Sequence, residues 1–314
     1  MTGSRIVALG HFQPETVMTN ADLEKLVETS DEWIRRRVGI ETRHIAGPEM
    51  TVTDMAAAAA TRAFERAGWA PGDVDLFVVA TCTAVERSPN VASRVAAQLG
   101  IVGGPAVIDV NTACSGFTHG LALADHTMRA GAATRALVIG VDKLSAVTDW
   151  TDRSTCVLVG DGAGAAAVER TDERPGIGPV VWGSLPELGN AVVIDGEPPV
   201  FRQEGAAVYR WATTVLPGIV GEVCARGGVA LEDLKAIVLH QANLRIIEAI
   251  MARVGPVKAV VARDVVESGN TSSASIPLAL SKLLEREPIE TGEPILLLGF
   301  GGGLSYAGQV VEAP

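Results

Sequence analysis

Arg66–Val79 reads RAGWAPGDVDLFVV, and Arg226–Leu239 repeats its plan as RGGVALEDLKAIVL. Arg66, Gly68, Ala70, Asp73 and Val78 return as Arg226, Gly228, Ala230, Asp233 and Val238. Each copy reads as a helix end stopped near Gly, a turn carrying Asp, and a short apolar run fit for a buried strand. The order continues in both copies. AVIDV (106–110) leads into NTACSG (111–116), and AVVARDV (259–265) leads toward ESGNTS (267–272). ALVIGV (136–141) is matched by ILLLGF (295–300). Two halves of like βα order predict a duplicated α/β fold in five helix-sheet-helix-sheet-helix layers. The boundary falls near Arg170–Gly178, giving halves 1–172 and 173–314.

Duplication also places the site. Ligands of α/β sheets bind beyond the carboxyl ends of strands, and equivalent strand ends of two similar halves should face one another. Thr81, Cys82 and Cys114 follow such strands in the first half, His240 and Asn270 in the second. A thiol, an imidazole and an amide are thereby expected to converge.

The chain has 314 residues, 47% of them hydrophobic and 20% charged, which suits a large packed core and argues against disorder. Its formal charge of -11 disfavours a nucleic-acid or anionic-membrane surface. MTGSRIVALG at the start lacks a basic region followed by an apolar stretch, and no long apolar run suggests a membrane span, so a cytoplasmic location is expected. Cys82, Cys114, Cys156 and Cys224 have no CxxC spacing, so neither a metal site nor a disulfide framework is expected.

Cys114 stands between the apolar AVIDV and a helix-patterned stretch, a strand-turn-helix elbow. A thiol there meets the positive end of the helix dipole and unpaired N–H groups, which favour the thiolate. His240 directly follows AIVL and is placed to donate to a developing enolate or carbonyl oxygen. Asn270, in GNTSSASIP, offers an amide N–H to the same oxygen. The glycines of GFGGGLSYAG (299–308) leave backbone N–H groups free for an oxyanion. A phosphate loop is the competing reading, but no Lys-Ser or Lys-Thr follows those glycines.

Six motifs in order then resemble the β-ketoacyl-acyl carrier protein synthase III family: TNADLEKLVETSDEWIRRRVGI, NTACSGF, TDRSTCVLVGDGAGAA, HQANLRI, GNTSSASIP and GFGGGLSYAG. The resemblance implies the thiolase-like fold. It implies that Cys114 is acylated by a primer acyl-CoA, and that His240 and Asn270 hold the enolate formed as malonyl-acyl carrier protein loses CO2. The product is a 3-oxoacyl-carrier protein, the first step of fatty acid synthesis, made without metal or redox cofactor. The backbone N–H groups of Cys114 and Gly302 are the implied oxyanion donors. Trp33, Arg37 and Arg153 resemble the adenine and phosphate contacts of CoA, and Asn243 a pantetheine contact. Arg35 and Arg36 read instead as a solvated helix face.

By the same resemblance Arg210, Arg245 and Arg253 are the candidates for docking the acidic carrier protein. Ser88, in TAVERSPNVAS, stands where bacterial members often place a bulky aromatic that crosses a homodimer interface to floor the acyl pocket. The small side chain predicts room for branched or longer primers, and Leu185–Gly205 is expected to shape the same pocket. A starter-unit condensing enzyme or acyltransferase of secondary metabolism is the alternative reading, and a non-catalytic acyl-CoA or carrier-protein binder the alternative from another class. The absence of a cysteine near the C-terminal glycines argues against a degradative thiolase.

Overall fold

The computed structural model describes residues 2–314. The first half runs β1 (Gly3–Phe12), α1 (Asp31–Arg37), α2 (Val52–Ala67), β2 (Leu76–Ala80), α3 (Val91–Gln98), β3 (Ala106–Val110), α4 (Gly116–Arg129), β4 (Arg135–Lys143) and β5 (Asp161–Thr171). The second runs β6 (Val181–Ser184), a hairpin of β7 (Val192–Asp195) and β8 (Val200–Gln203), α5 (Gly205–Gly227), β9 (Ala236–Leu239), α6 (Leu244–Val254), β10 (Val260–Val261), α7 (Ser275–Arg286), β11 (Pro294–Gly301) and β12 (Ser305–Glu312).

The strands form two five-stranded sheets, ordered β1-β5-β4-β2-β3 and β6-β12-β11-β9-β10, so that each strand of one has its counterpart in the other. The repeat sits at matching places. Gly68 and Gly228 end α2 and α5 with φ of 66° and 67°, a left-handed conformation that costs glycine nothing. The apolar runs that follow become β2 and β9, each parallel to both neighbours and buried throughout. Helices cover both faces, which is why these runs are apolar without alternation.

Layering follows from which helix faces are apolar. α4 and α7 lie between the sheets and touch strands of both, α2 and α3 cover the outer face of the first sheet, and α5 and α6 cover that of the second. The thiolase-like fold expected from the motifs is the fold observed. The central layer packs without spare room. A Cβ on Gly140 of β4 would lie 2.2 Å from the Ser273 carbonyl oxygen, so only glycine lets the turn before α7 rest against that strand. AVIDV forms β3 at the sheet edge, paired with β2 alone, and Ile108 is 44% exposed.

Candidate active site

Cys114, His240 and Asn270 line one cavity of about 450 Å³, with Cys82, Ser272, Phe300 and the Gly301–Gly303 run. Cys114 lies in a one-turn 3-10 segment, Ala113–Ser115, between β3 and α4. The matching turn of the second half, Ser272–Ala274, precedes α7, and the two turns pack on one another. β11 brings Gly301 against the thiol: a Cβ there would stand 2.6 Å from Cys114 Cβ and 3.0 Å from Sγ. The backbone N–H groups of Gly302 and of Cys114 itself act on the thiol in the direction that lowers its pKa.

The dipoles expected to favour the thiolate are opposed by burial. Burial pushes the Cys114 thiol up to about 11, against the opposing pull of hydrogen bonds from Ser272, Gly302 and its own N–H. The elbow and the helix start are where the sequence put them. Loss of water around the sulfur outweighs what these dipoles return.

His240 is 2% exposed, and its ring meets Phe300 edge to face with centroids 5.2 Å apart. Burial lowers its pKa to about 3, so the ring is neutral. Nδ1 lies 2.7 Å from Ser275 Oγ, which accepts from the Gln241 N–H at 3.3 Å. A Ser275 proton given to Nδ1 would leave the ring proton on Nε2, the tautomer an Nε2–H donor requires. Asn270 is fixed from both sides: its N–H donates to Leu158 at 2.7 Å and its carbonyl accepts from Gly160 at 2.9 Å. Its side-chain Oδ1 accepts the Ser272 N–H at 2.9 Å, and Nδ2 has no acceptor among the described residues. The arrangement offers two neutral N–H donors and a thiol around one space.

The pattern of 3-oxoacyl-acyl carrier protein synthase III matches residues 108–186, and that of its C-terminal region matches residues 224–313. β-Ketoacyl-acyl carrier protein synthase III 2 of Streptomyces avermitilis is 66% identical, covering 100% of both chains. The synthase III of Oceanobacillus iheyensis is 42% identical over 96% of each. This chain belongs to the 3-oxoacyl-acyl carrier protein synthase III family. It is an acyl-transferring condensing enzyme. Among solved structures, the synthase III of Aquifex aeolicus superposes with a TM-score of 0.95 at 39% identity, covering 99% of this chain and 100% of that one. The priming β-ketosynthase of the R1128 polyketide pathway also reaches 0.95, at 37% identity, covering 99% and 96%.

Outside the cavity, the predicted contacts of the enzyme divide. Arg153 stacks over the Trp33 ring at 4.9 Å and Arg37 lies 5.9 Å from its centroid, so these three form one cationic and aromatic cluster at α1. Arg35 pairs with Asp31 at 2.7 Å on the solvated face, as its neighbourhood predicted. Asn243 caps α6, its Oδ1 accepting from the Ile246 N–H at 2.9 Å. Arg245 is spent on structure: it donates to the Arg35 and Arg36 carbonyls at 2.6 and 3.1 Å and pairs with Glu248 at 2.7 Å. Arg253 donates to the Thr213 carbonyl. Arg210 is exposed, and its guanidinium has no partner among the described residues. Ser88 is exposed on the loop between β2 and α3 and does not line the cavity of the single chain. From Leu185–Gly205, by contrast, Val192, Val193, Ile194, Phe201 and Gln203 of the β7–β8 hairpin do line it.

Two residues were missed. Asp142, fully buried at the β4 end, accepts from Thr81 Oγ1 (3.0 Å), Cys82 N (2.8 Å), Thr83 Oγ1 (2.9 Å), Ser273 N (2.9 Å) and Ser273 Oγ (2.7 Å). It ties the strand end after β2 to the turn after Asn270. A lone acid following ALVIGV was the only signal for it. Ser272 was hidden in a serine-rich turn.

Proposed function

We propose that the enzyme condenses a primer acyl-CoA with malonyl-acyl carrier protein, Cys114 being the nucleophile and His240 and Asn270 the enolate-holding pair. The observation that carries this reading is their convergence on one cavity that the Gly301–Gly303 run also lines. In the first half-reaction the Cys114 sulfur attacks the thioester carbonyl, the Gly302 and Cys114 N–H groups take the oxyanion, and CoA leaves as a thiol with the proton Cys114 lost. In the second, the malonyl C–C bond breaks to release CO2. The electron pair moves onto the thioester oxygen, where His240 Nε2–H and Asn270 Nδ2–H donate. The enolate carbon then attacks the acyl carbon on Cys114, the C–S bond breaks, and the sulfur regains a proton.

The pocket wall is apolar (Leu144, Val192, Ile194, Phe201, Val208), which suits an alkyl primer. Trp33, Arg37 and Arg153 are the proposed CoA clamp, with Asn243 turning its remaining amide protons to the pantetheine. Of the docking candidates, free Arg210 is best supported, whereas Arg245 and Arg253 serve carrier-protein recognition only if they release their present carbonyls. The halves 1–172 and 173–314 then divide the work, nucleophile from the first and enolate donors from the second, in a cytoplasmic enzyme.

A second copy fits the exposed β3 edge. Ile108 is 44%, Val102 79% and Val85 84% exposed there, and an unpaired apolar strand favours edge pairing. A homodimer formed so brings the Ser88 loop toward the neighbouring subunit. Likeness to a priming ketosynthase of a polyketide pathway supports a second reading, starter-unit condensation for secondary metabolism with the same chemistry. Intact-protein mass spectrometry after mixing with acetyl-, isobutyryl- and hexanoyl-CoA tests the core proposal. An acyl mass on Cys114, absent in Cys114→Ala, is expected, and no covalent adduct with any of the three would make the chain a binder instead.

A further inference from the structure

The proposed CoA clamp and the enolate donor Asn270 stand on separate pieces of backbone, and one buried side chain reaches all of them. Arg43 lies in the short strand Thr42–His44 and is 0% exposed. Its Nη1 donates to Asn20 Oδ1 at 2.8 Å and its Nη2 to the Val157 carbonyl at 2.8 Å, while Nε has no partner among the described residues. Burial lowers its pKa to about 10, so at neutral pH it is still a cation. A buried charge is ordinarily matched by an opposite one. Here both acceptors are neutral oxygens, which makes the reach of the planar fork, rather than an ion pair, the reason for an arginine.

We propose that Arg43 is a positioning residue that holds the Trp33 and Arg153 clamp in register with the Asn270 amide, so that primer binding and enolate stabilisation share one brace. The inference rests on the proposed condensation, in which these groups receive CoA and the enolate. One arm of the fork runs to α1. Asn20 passes the contact on, its Nδ2 donating to Asp31 Oδ1 at 2.8 Å in the first turn of that helix and to the Ile40 carbonyl at 2.9 Å beyond its end. Trp33 and Arg37 lie on the helix so held. The other arm runs to Val157, which caps the one-turn helix Arg153–Cys156, and Arg153 is the residue that stacks over Trp33. Both faces of the clamp thereby hang on one guanidinium.

From Val157 the chain continues directly to Asn270. The carbonyl of the next residue, Leu158, accepts the Asn270 N–H at 2.7 Å, and the Gly160 N–H donates to the Asn270 carbonyl at 2.9 Å. The stem of Arg43 closes the same place from below. A Cβ on Gly269 would lie 3.0 Å from Arg43 Cβ and one on Gly160 3.4 Å from it, so the backbone on both sides of that pairing rests on the arginine. Its strand is tied to the residues before Gly269 as well: Thr42 Oγ1 donates to the Glu267 carbonyl at 2.8 Å, and the Glu41 N–H to the Val266 carbonyl at 2.8 Å. A lysine here would keep the charge but offer one nitrogen where the fork offers two.

The test compares Arg43→Lys, which loses the fork, with Asn20→Ala, which cuts the arm to α1, and with the double variant, all as folded protein from size exclusion. CoA affinity by calorimetry reads the clamp, and 14CO2 release from malonyl-acyl carrier protein reads Asn270. Arg43→Lys should weaken CoA and slow CO2 release, each by about tenfold or more, the worth of a hydrogen bond to a charged group. Asn20→Ala should weaken CoA by a like factor and slow CO2 release less. The double variant should bind CoA no worse than Arg43→Lys alone, because both changes remove the same arm. Wild-type CoA affinity in both single variants, losses that add in the double variant, or undiminished CO2 release in Arg43→Lys overturns the brace. A lowered denaturant midpoint with both functions intact does so too, making Arg43 structural only. If Arg43→Lys yields no folded protein, Asn20→Ala decides alone, and unchanged CoA affinity there overturns the brace. A wild type that binds CoA yet neither acylates Cys114 nor releases CO2 overturns the condensing reading instead, and the CoA affinities still judge the brace.

Discussion

Gly301→Ala tests whether the nucleophile is positioned by contact. The added Cβ would sit 2.6 Å from Cys114 Cβ and 3.0 Å from Sγ, where ordinary contact begins at 3.4 Å. The φ of 163° at Gly301 is extended backbone, so the obstacle is the methyl group itself. Restoring contact requires one partner to move by the difference between 3.4 and 2.6 Å, about 0.8 Å. β11 is held by β9 and β12 on its two sides, so the turn bearing Cys114 is the part that yields. A displacement near 1 Å at a reacting atom costs about 10²-fold in rate, and the overpacking costs about 1–3 kcal/mol of stability. The assay is the rate of Cys114 acylation by mass spectrometry, beside a denaturant midpoint. Gly221→Ala is the control: its Cβ meets nothing within 4 Å inside α5, and it should acylate normally while gaining about 0.5–1 kcal/mol. If Gly301→Ala is acylated within about threefold of wild type, close approach is not why glycine stands there.

His240→Ala and Asn270→Ala should each keep Cys114 acylation and lose malonyl decarboxylation by about 3 kcal/mol, since each removes one enolate donor; 14CO2 release and acyl loading, measured separately, must diverge. Ser88→Phe should shift competition among acetyl-, isobutyryl- and hexanoyl-CoA toward acetyl, because in the proposed homodimer the added ring would enter the neighbouring subunit's pocket and shorten it. An unchanged order would move attention to the β7–β8 hairpin. Neutral His240 carries a pH signature. Its folded pKa is about 3 against 6.5 when exposed, so the unfolded chain takes up the proton first as pH falls. Stability contributed by this group is intact above pH 6.5 and declines between there and about 3. Urea midpoints from pH 7 to 4 should fall less steeply in His240→Gln than in wild type, and parallel slopes refute the assignment.

Much of this was legible because the chain states its fold twice. Helix ends at Gly68 and Gly228, followed by apolar runs, fixed two equivalent strands, and the residues beyond comparable strands were already the thiol, the imidazole and the amide. What escaped was tertiary. Asn243 and Arg245 stand in a motif beside His240, yet one caps α6 and the other holds carbonyls of α1, demands set by backbone groups that no spacing reveals. AVIDV has the composition of an interior strand but ends at an edge, where it pairs with β2 alone. Ser272 and Ser273 differ by one position, and only the turn geometry gives the first to the cavity and the second to Asp142.

The opposition of burial and dipoles at Cys114 bears on how the proposed site works. Local reasoning placed the thiol at dipoles that favour its anion, and those dipoles are present. Burial acts on both partners, however, raising the thiol and lowering the imidazole, so that neither carries charge at rest. Burial raises the Cys114 thiol to about 11, above the ordinary cysteine range. On the proposed mechanism, proton loss would accompany attack on the primer. A cavity walled largely by apolar side chains suits the proposed decarboxylation, since an enolate beside water would be protonated before it met the thioester. The N–H groups of Gly302 and Cys114 reconcile the two demands. On the proposed mechanism they favour the anion at the sulfur before attack, and as charge passes to the carbonyl oxygen the same fixed donors would receive it without reorganising.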